Sequence, residues 1–148
     1  MSMLINDSEY IQTMNEIKVK IYEAHRNALI SANREIISLY WNVGKMINER
    51  NSWGSKFVQN LSRDIALDFP RLQGFSKRNM QYMAKFNVIY PDFEFVQRAL
   101  HKLPWRTNVA IMEKIKDPAE REWYIAQVIK NGWSRDLLVH QFVTAKTK

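Results

Sequence analysis

Three observations predict an all-α fold for this 148-residue chain. Apolar residues recur at steps of three and four along most of its length, the spacing of one helix face. Four Gly and four Pro leave too few turns for an all-β fold. Asp, Ser and Asn stand where helices would start, and Pro or Gly where they would stop. The expected architecture is a long N-terminal helix, or two, followed by a helix-turn-helix-like bundle of about five shorter helices. One domain is expected over 1–148, with a helical arm at 6–50, a two-helix unit at 53–90 and supporting helices at 92–145.

Asn6 or Asp7 can cap the first helix. Its apolar stripe is expected to run through Ile11, Met14, Ile17, Ile21, Ala24, Ala28, Ala32, Ile36, Leu39, Val43 and Ile47. Neither Pro nor Gly interrupts it before Gly44, so it forms one long helix or two with a bend near His25–Asn33. A helix of that length outruns a small domain, which points to a partner. Ala24, Ala28 and Ala32 permit close approach of a second helix, making residues 7–50 the candidate surface for a homodimer.

Asn51-Ser52-Trp53-Gly54 is turn chemistry, with Ser52 or Ser55 as the next cap. The helix that follows places Phe57, Val58, Leu61, Ile65 and Phe69 on one face, and Pro70 stops it. After a turn containing Gly74, Ser76 caps a helix reaching Tyr90, where Pro91 ends it. Asp92 caps a short helix, Leu103-Pro104-Trp105 marks a break, and a helix through Val109, Met112 and Ile115 follows. Asp117-Pro118-Ala119-Glu120 combines a cap, a first-turn Pro and a capping-box Glu. Asn131-Gly132 is expected to close that helix in a left-handed cap, and Ser134 to open the last one.

Composition narrows the function. Zero Cys excludes disulfides and thiolate metal sites and fits a reducing cytoplasm. The N-terminus lacks the basic and apolar regions of a signal peptide, and no uncharged run reaches membrane-spanning length, so a cytoplasmic protein without a membrane partner is expected. Net charge is +7 and pI about 9.7. The excess is not uniform. Asp7–Arg50 has six basic and six acidic residues, whereas Asn51–Leu103 has eight basic and four acidic, and Pro104–Lys148 eight and five. A polyanion partner would meet the second and third segments.

Catalytic patterns are absent. His25, His101 and His140 lie far apart, without metal-ligand spacing, and no phosphate loop, nucleophile elbow or dinucleotide fingerprint occurs. Pro91-Asp92 invites comparison with metal-dependent nucleases, but no acidic-x-Lys triplet follows, and Asp92 reads as a helix cap. No cofactor and no enzymatic activity are expected.

What remains is the helix opened by Ser76. At about 100° per residue, Met80, Met83, Phe86 and Tyr90 share one arc, and Lys77, Arg78, Gln81 and Lys85 the other. Lys77, Arg78, Asn79, Gln81 and Lys85 are candidate DNA contacts: cations for phosphates or guanine edges, amides for adenine edges. A helix N-terminus at Ser76 adds attraction for a phosphate. Arg71, Lys56 and Arg63 are candidate flanking phosphate contacts, with a plain surface role favoured for each singly. A plainly solvated face accounts for the same composition equally well. For Trp53, Trp105, Trp123 and Trp133, packing at helix joints is favoured over base stacking, and Trp41 is expected to pack the long helix onto the body.

Several stretches together resemble the N-terminal domain of YhcG-type proteins. They are Glu35 through Gly44, Trp53-Gly54, Gly74-Phe75-Ser76-Lys77-Arg78-Asn79-Met80 with Tyr82-Met83, Leu103-Pro104-Trp105, Lys116-Asp117-Pro118 through Glu122-Trp123-Tyr124, and Asn131-Gly132-Trp133-Ser134-Arg135 with Val139-His140-Gln141. The resemblance covers nearly the whole chain in order. It implies a helical, helix-turn-helix-like DNA-binding module that in full-length relatives precedes a C-terminal PD-(D/E)xK nuclease domain. No residue here matches that nuclease motif, so the resemblance implies DNA targeting, not cutting. It places Lys77, Arg78, Asn79, Gln81 and Lys85 on the second helix of the unit, and leaves Asn108 as a polar position without an assigned role. The rival expectation is a protein-interaction or dimerisation domain of a nuclease or defence complex without direct DNA contact.

Overall fold

The computed structural model describes residues 7–50 and 56–146, the side chain of Asp7 excepted. In chain order they form α1 (Asp7–Glu49), α2 (Lys56–Asp68), α3 (Lys77–Ile89), α4 (Phe93–Arg98), a 3-10 turn (Leu100–Lys102), α5 (Trp105–Lys114), α6 (Pro118–Asn131) and α7 (Arg135–Lys146). The described residues contain no strand, and none of their helices is long and apolar enough to cross a membrane. The cap expected at Asn6 or Asp7 and the turn at 51–55, with Trp53, Gly54 and the caps Ser52 and Ser55, lie outside the described residues.

The chain divides into two units, Met1–Ala32 and Asn33–Lys148, so the division falls inside α1. In the first unit the helix is solvated on all sides. Tyr10, Ile11, Ile17, Val19, Ile21, Tyr22, Leu29 and Ile30 are all exposed. Among the described residues of this unit, nothing covers them.

In the second unit, the end of α1 has a core-facing stripe that differs from the expected one. The buried residues are Ile37, Trp41, Gly44 and Ile47, whereas Ile36 and Leu39 are exposed. The reason is that two apolar stripes coexist on this part of the helix, and steps of three and four fit both. Trp41 fixes which one turns inward. Its indole is buried and its Nε1 donates to the carbonyl of Tyr90 at 2.7 Å, as its expected packing role requires.

Most of the unit's core lies among Phe86, Val96, Leu100, Leu103, Ile111, Met112, Ile115, Tyr124, Ile125, Val128 and Leu138. Local chemistry delimits its helices as the sequence indicates. Asp92 accepts from the N–H of Glu94 and Asp117 from that of Glu120, while Pro118 occupies the first turn of α6. Gly132 ends α6 with φ +66, and Ser134 accepts from the N–H of Leu137 to open α7. Around the 3-10 turn the carbonyls are met by side-chain amides. Asn33 Nδ2 donates to the carbonyls of His101 and Leu103, at 2.7 and 2.9 Å, and buried Asn108 Nδ2 lies 3.3–3.4 Å from those of Leu100, Leu103 and Pro104. Asn108 is thus a carbonyl-satisfying residue of the interior.

One expectation for α2 is corrected. Phe57, Val58, Leu61 and Ile65 pack against the α1–α3 contact, but Phe69 lies beyond the helix end and is exposed. Pro70 stops the helix early enough that the last apolar residue leaves the stripe.

Candidate nucleic-acid interface

Ser76 has extended backbone geometry, and its Oγ accepts from the N–H of Asn79 at 3.1 Å, which starts α3 there. From this start the helix buries Met80, Met83 and Phe86. Met80 and Met83 meet Ile47 of α1 together with Val43, Phe57, Leu61 and Ile65. Phe86 meets Trp105 of α5 edge-on at 5.1 Å. With three elements on its inner side, α3 turns one stripe outward: Lys77, Arg78, Gln81 and Val88 are exposed and Lys85 is half-buried. Four of the expected contact residues therefore share one outward face, as their spacing predicts.

Asn79 does not join them. Its Nδ2 donates to the carbonyl of Gly74 at 2.6 Å, and its Oδ1 accepts from Trp105 Nε1 at 2.8 Å. The amide points away from the outward face and ties the turn, α3 and α5 together. Around this knot Tyr40 meets Trp105 edge-on at 4.9 Å and Phe75 at 6.0 Å, and Ser62 Oγ donates to the carbonyl of Phe75. Gly74 is required twice over. Its φ is +96, and a Cβ there would lie 2.2 Å from the Tyr40 hydroxyl. The connection between α2 and α3 spans eight residues, 69–76, against about three or four in a tight helix-turn-helix. The two-helix order is kept, and the turn is longer.

Arg78 is oriented from within its own helix. Its guanidinium donates to the hydroxyl of Tyr82 at 3.2 Å and lies 5.7 Å from that ring's centroid. The Tyr82 hydroxyl donates in turn to Glu113 of α5. A charged group held this way loses fewer rotamers on meeting a ligand.

Lys85, at the far end of the stripe, lies beside Lys116 and near Arg121. Burial, and then these neighbouring positive charges, hold its ammonium below the usual lysine range. Lys116 and Arg121 carry no signal in the sequence that would link them to the stripe, because the α5–α6 connection and the start of α6 reach Lys85 only through the fold.

Lys56 and Arg63 are exposed on the outer side of α2, and Arg71 is exposed in the connection. Arg63 lies 3.6 Å from the carboxylate of Asp64, which offsets part of its charge. These three stand apart from the stripe of α3, on the preceding helix and the turn. Of the tryptophans, Trp105 is the joint just described and Trp133 packs against the core, whereas Trp123 is 54% exposed with one edge against Tyr124, contrary to the packing expected of it. No group of three His, Cys, Asp or Glu among the described residues is arranged to hold a metal ion.

The family model of the DUF1016 N-terminal domain matches residues 16–146. The chain belongs to this family. It is the N-terminal domain family of the YhcG-type nucleases, in agreement with the resemblance read from Glu35–Gly44, Gly74–Met80 and Asn131–Arg135. No curated protein and no solved structure matches the chain. The DUF1016 N-terminal domain match takes in the whole of α3, the Asn79–Trp105 knot and Lys116 and Arg121, while residues 7–15 of α1 precede it.

Proposed function

We propose that this DUF1016 N-terminal domain binds DNA through the outward stripe of α3, is itself non-catalytic, and directs a YhcG-type nuclease to its substrate in the cytoplasm. One observation carries the reading. Lys77, Arg78, Gln81 and Lys85 stand on a single outward face of a helix whose opposite face is locked into the core. No acidic residue occurs in α3 to oppose a phosphate. The helix N-terminus is at the same end as Lys77 and Arg78, so its free N–H groups add to their attraction. Gln81, one turn in, is the candidate for a base edge, and Lys77, Arg78 and Lys85 for phosphates. Lys56, Arg63 and Arg71 are assigned a flanking phosphate role, with Arg63 the weakest because of Asp64. Asn79, turned inward, is no part of the contact set.

The test is duplex binding as a function of salt. Replacing Lys77 and Arg78 together by Ala should weaken binding and lower the slope of log K against log salt by roughly 0.9 for each phosphate no longer neutralised. Equal affinity and equal slope for the variant and the parent protein would remove this face as the site.

A second reading, self-association through α1, is favoured by a different observation. Tyr10, Met14, Ile17, Ile21, Ala24 and Ala28 follow alternating steps of four and three, the heptad spacing of a coiled-coil seam. Large side chains occupy its first part and alanines its last. Two copies running antiparallel set Tyr10 against Ala28, Met14 against Ala24 and Ile17 against Ile21, which evens the volume of each layer. The two readings are compatible, since the seam and the α3 stripe share no residue.

A further inference from the structure

Lys85, Lys116 and Arg121 form a group of three cations with no anion among them. Among the described residues none of the three has a carboxylate within ion-pair distance. Of the surrounding carboxylates, Glu113 accepts from the Tyr82 hydroxyl, Asp92 and Asp117 cap α4 and α6, and Asp92 and Glu122 line a cavity with Arg121 without an ion pair to it. The cations are held in place by neutral acceptors instead. Lys116 Nζ lies 3.3 Å from the carbonyl of Met112 at the end of α5, and Arg121 donates to the carbonyls of Ile115 and Lys116 at 3.3 and 3.2 Å. The Arg121 guanidinium also lies 6.0 Å from the ring centroid of Tyr90. Such an arrangement is costly by itself, because like charges repel and Lys85 is partly desolvated.

We propose that Lys85, Lys116 and Arg121 form a phosphate-group site where α3 meets the α5–α6 connection and the first turn of α6. The chemistry selects a phosphate over a carboxylate. Three cations need more than one negative charge, and their N–H groups, three on each lysine and five on the arginine, exceed the bonds already made. A tetrahedral group with several anionic oxygens meets them from one side, and Arg with Lys is a recurrent phosphate pair. Lys85 belongs both to this group and to the outward stripe of α3. A DNA backbone lying along α3 from Lys77 would therefore bring a further phosphate to the cluster. That source rests on the DNA reading above; a free phosphate compound does not.

The experiment has two arms, using the whole chain. In the first, inorganic phosphate is titrated at constant ionic strength against chloride and followed by backbone NMR. The expected result is saturable shifts at Lys85, Lys116 and Arg121, absent from the Lys85→Gln/Lys116→Gln variant. That variant should keep its melting temperature, because it removes a repulsion. In the second arm, a short duplex is bound over a salt series. The variant's slope should fall by about one, while Lys102→Gln/Lys130→Gln, with the same charge loss elsewhere, leaves it unchanged.

Phosphate shifts with a lowered duplex slope identify the DNA backbone as the source. Phosphate shifts with an unchanged slope identify a free phosphate compound and still support the site. The absence of saturable phosphate shifts at these three residues together with an unchanged slope overturns it. If the parent protein binds no duplex at all, the reading of α3 falls, and the phosphate titration decides the cluster independently.

Discussion

The main chain of Gly44 in α1 rests directly on the main chain of Met83 in α3. A Cβ at Gly44 would stand 2.0 Å from the Met83 carbonyl oxygen and 2.5 Å from the carbonyl carbon. Neither atom can move without moving its helix. In a helix interior, Gly→Ala ordinarily stabilises by roughly 0.5–1 kcal/mol. Here the sign should reverse, since overpacking costs about 1–3 kcal/mol. Gly44→Ala should therefore lower the urea midpoint and the melting temperature. A stabilised variant would mean that the helices are farther apart than described.

Asn79 should behave as a structural residue. Asn79→Ala removes the bond to Gly74 and leaves Trp105 Nε1 without its acceptor, which should destabilise by about 1–3 kcal/mol. Asn79→Asp keeps an acceptor for the indole but sets a carboxylate against the Gly74 carbonyl, so it should also destabilise. Weaker duplex binding with an unchanged melting temperature would return Asn79 to the DNA-facing surface.

Acid should weaken the fold through His101. Its ring is buried, Nε2 lies 3.0 Å from Ser38 Oγ, and Nδ1 has no partner. Burial first, and the charge of Arg34 second, hold the imidazole below its ordinary range, with Glu35 opposing in part. The unfolded chain then binds the proton more tightly than the folded one. The destabilisation begins as pH falls below about 6.5 and is complete below the depressed folded-state value. His101→Gln should flatten this part of the pH–stability curve, read from urea midpoints between pH 7.5 and 5, even if it costs stability at pH 7.

The apolar seam of α1 predicts the oligomeric state. Ile17 and Ile21 are exposed in the single chain, so Ile17→Glu/Ile21→Glu should leave its fold intact and shift a dimer to monomer by light scattering. A parent protein that is monomeric at all accessible concentrations would remove the self-association reading.

How much of this is legible in the sequence depends on how local each cause is. The caps at Ser76, Asp92, Asp117 and Ser134 and the left-handed Gly132 act over a few residues, and all can be read directly. So can the division of α3 into Met80–Met83–Phe86 and Lys77–Gln81–Lys85, a matter of helical period. Asn79 escapes such a reading because its partner, Trp105, is 26 positions away and nothing in a Ser-Lys-Arg-Asn start announces an inward amide. The inward stripe of α1 is ambiguous because Ile36 and Ile37 fit neighbouring periods equally, and only the bond from Trp41 to Tyr90 decides between them. Phe69 follows the period correctly, but Pro70 cuts the helix short. The nearness of Lys116 and Arg121 to Lys85 exists only in the folded chain. In the sequence Gly44 is merely the first interruption in a helix, whereas its role is the close approach it allows.

The fastenings of α3 consist of the Gly44–Met83 approach, the Asn79 amide, the Ser76 cap and the buried Met80, Met83 and Phe86. Among the described residues, no hydrogen bond or ion pair is made by the side chains of Lys77 or Gln81. Support and surface thus reside in different residues of one helix. Those two outward positions can be rewritten while the helix keeps its roll and pitch, so divergent copies of this scaffold can acquire different preferences without refolding.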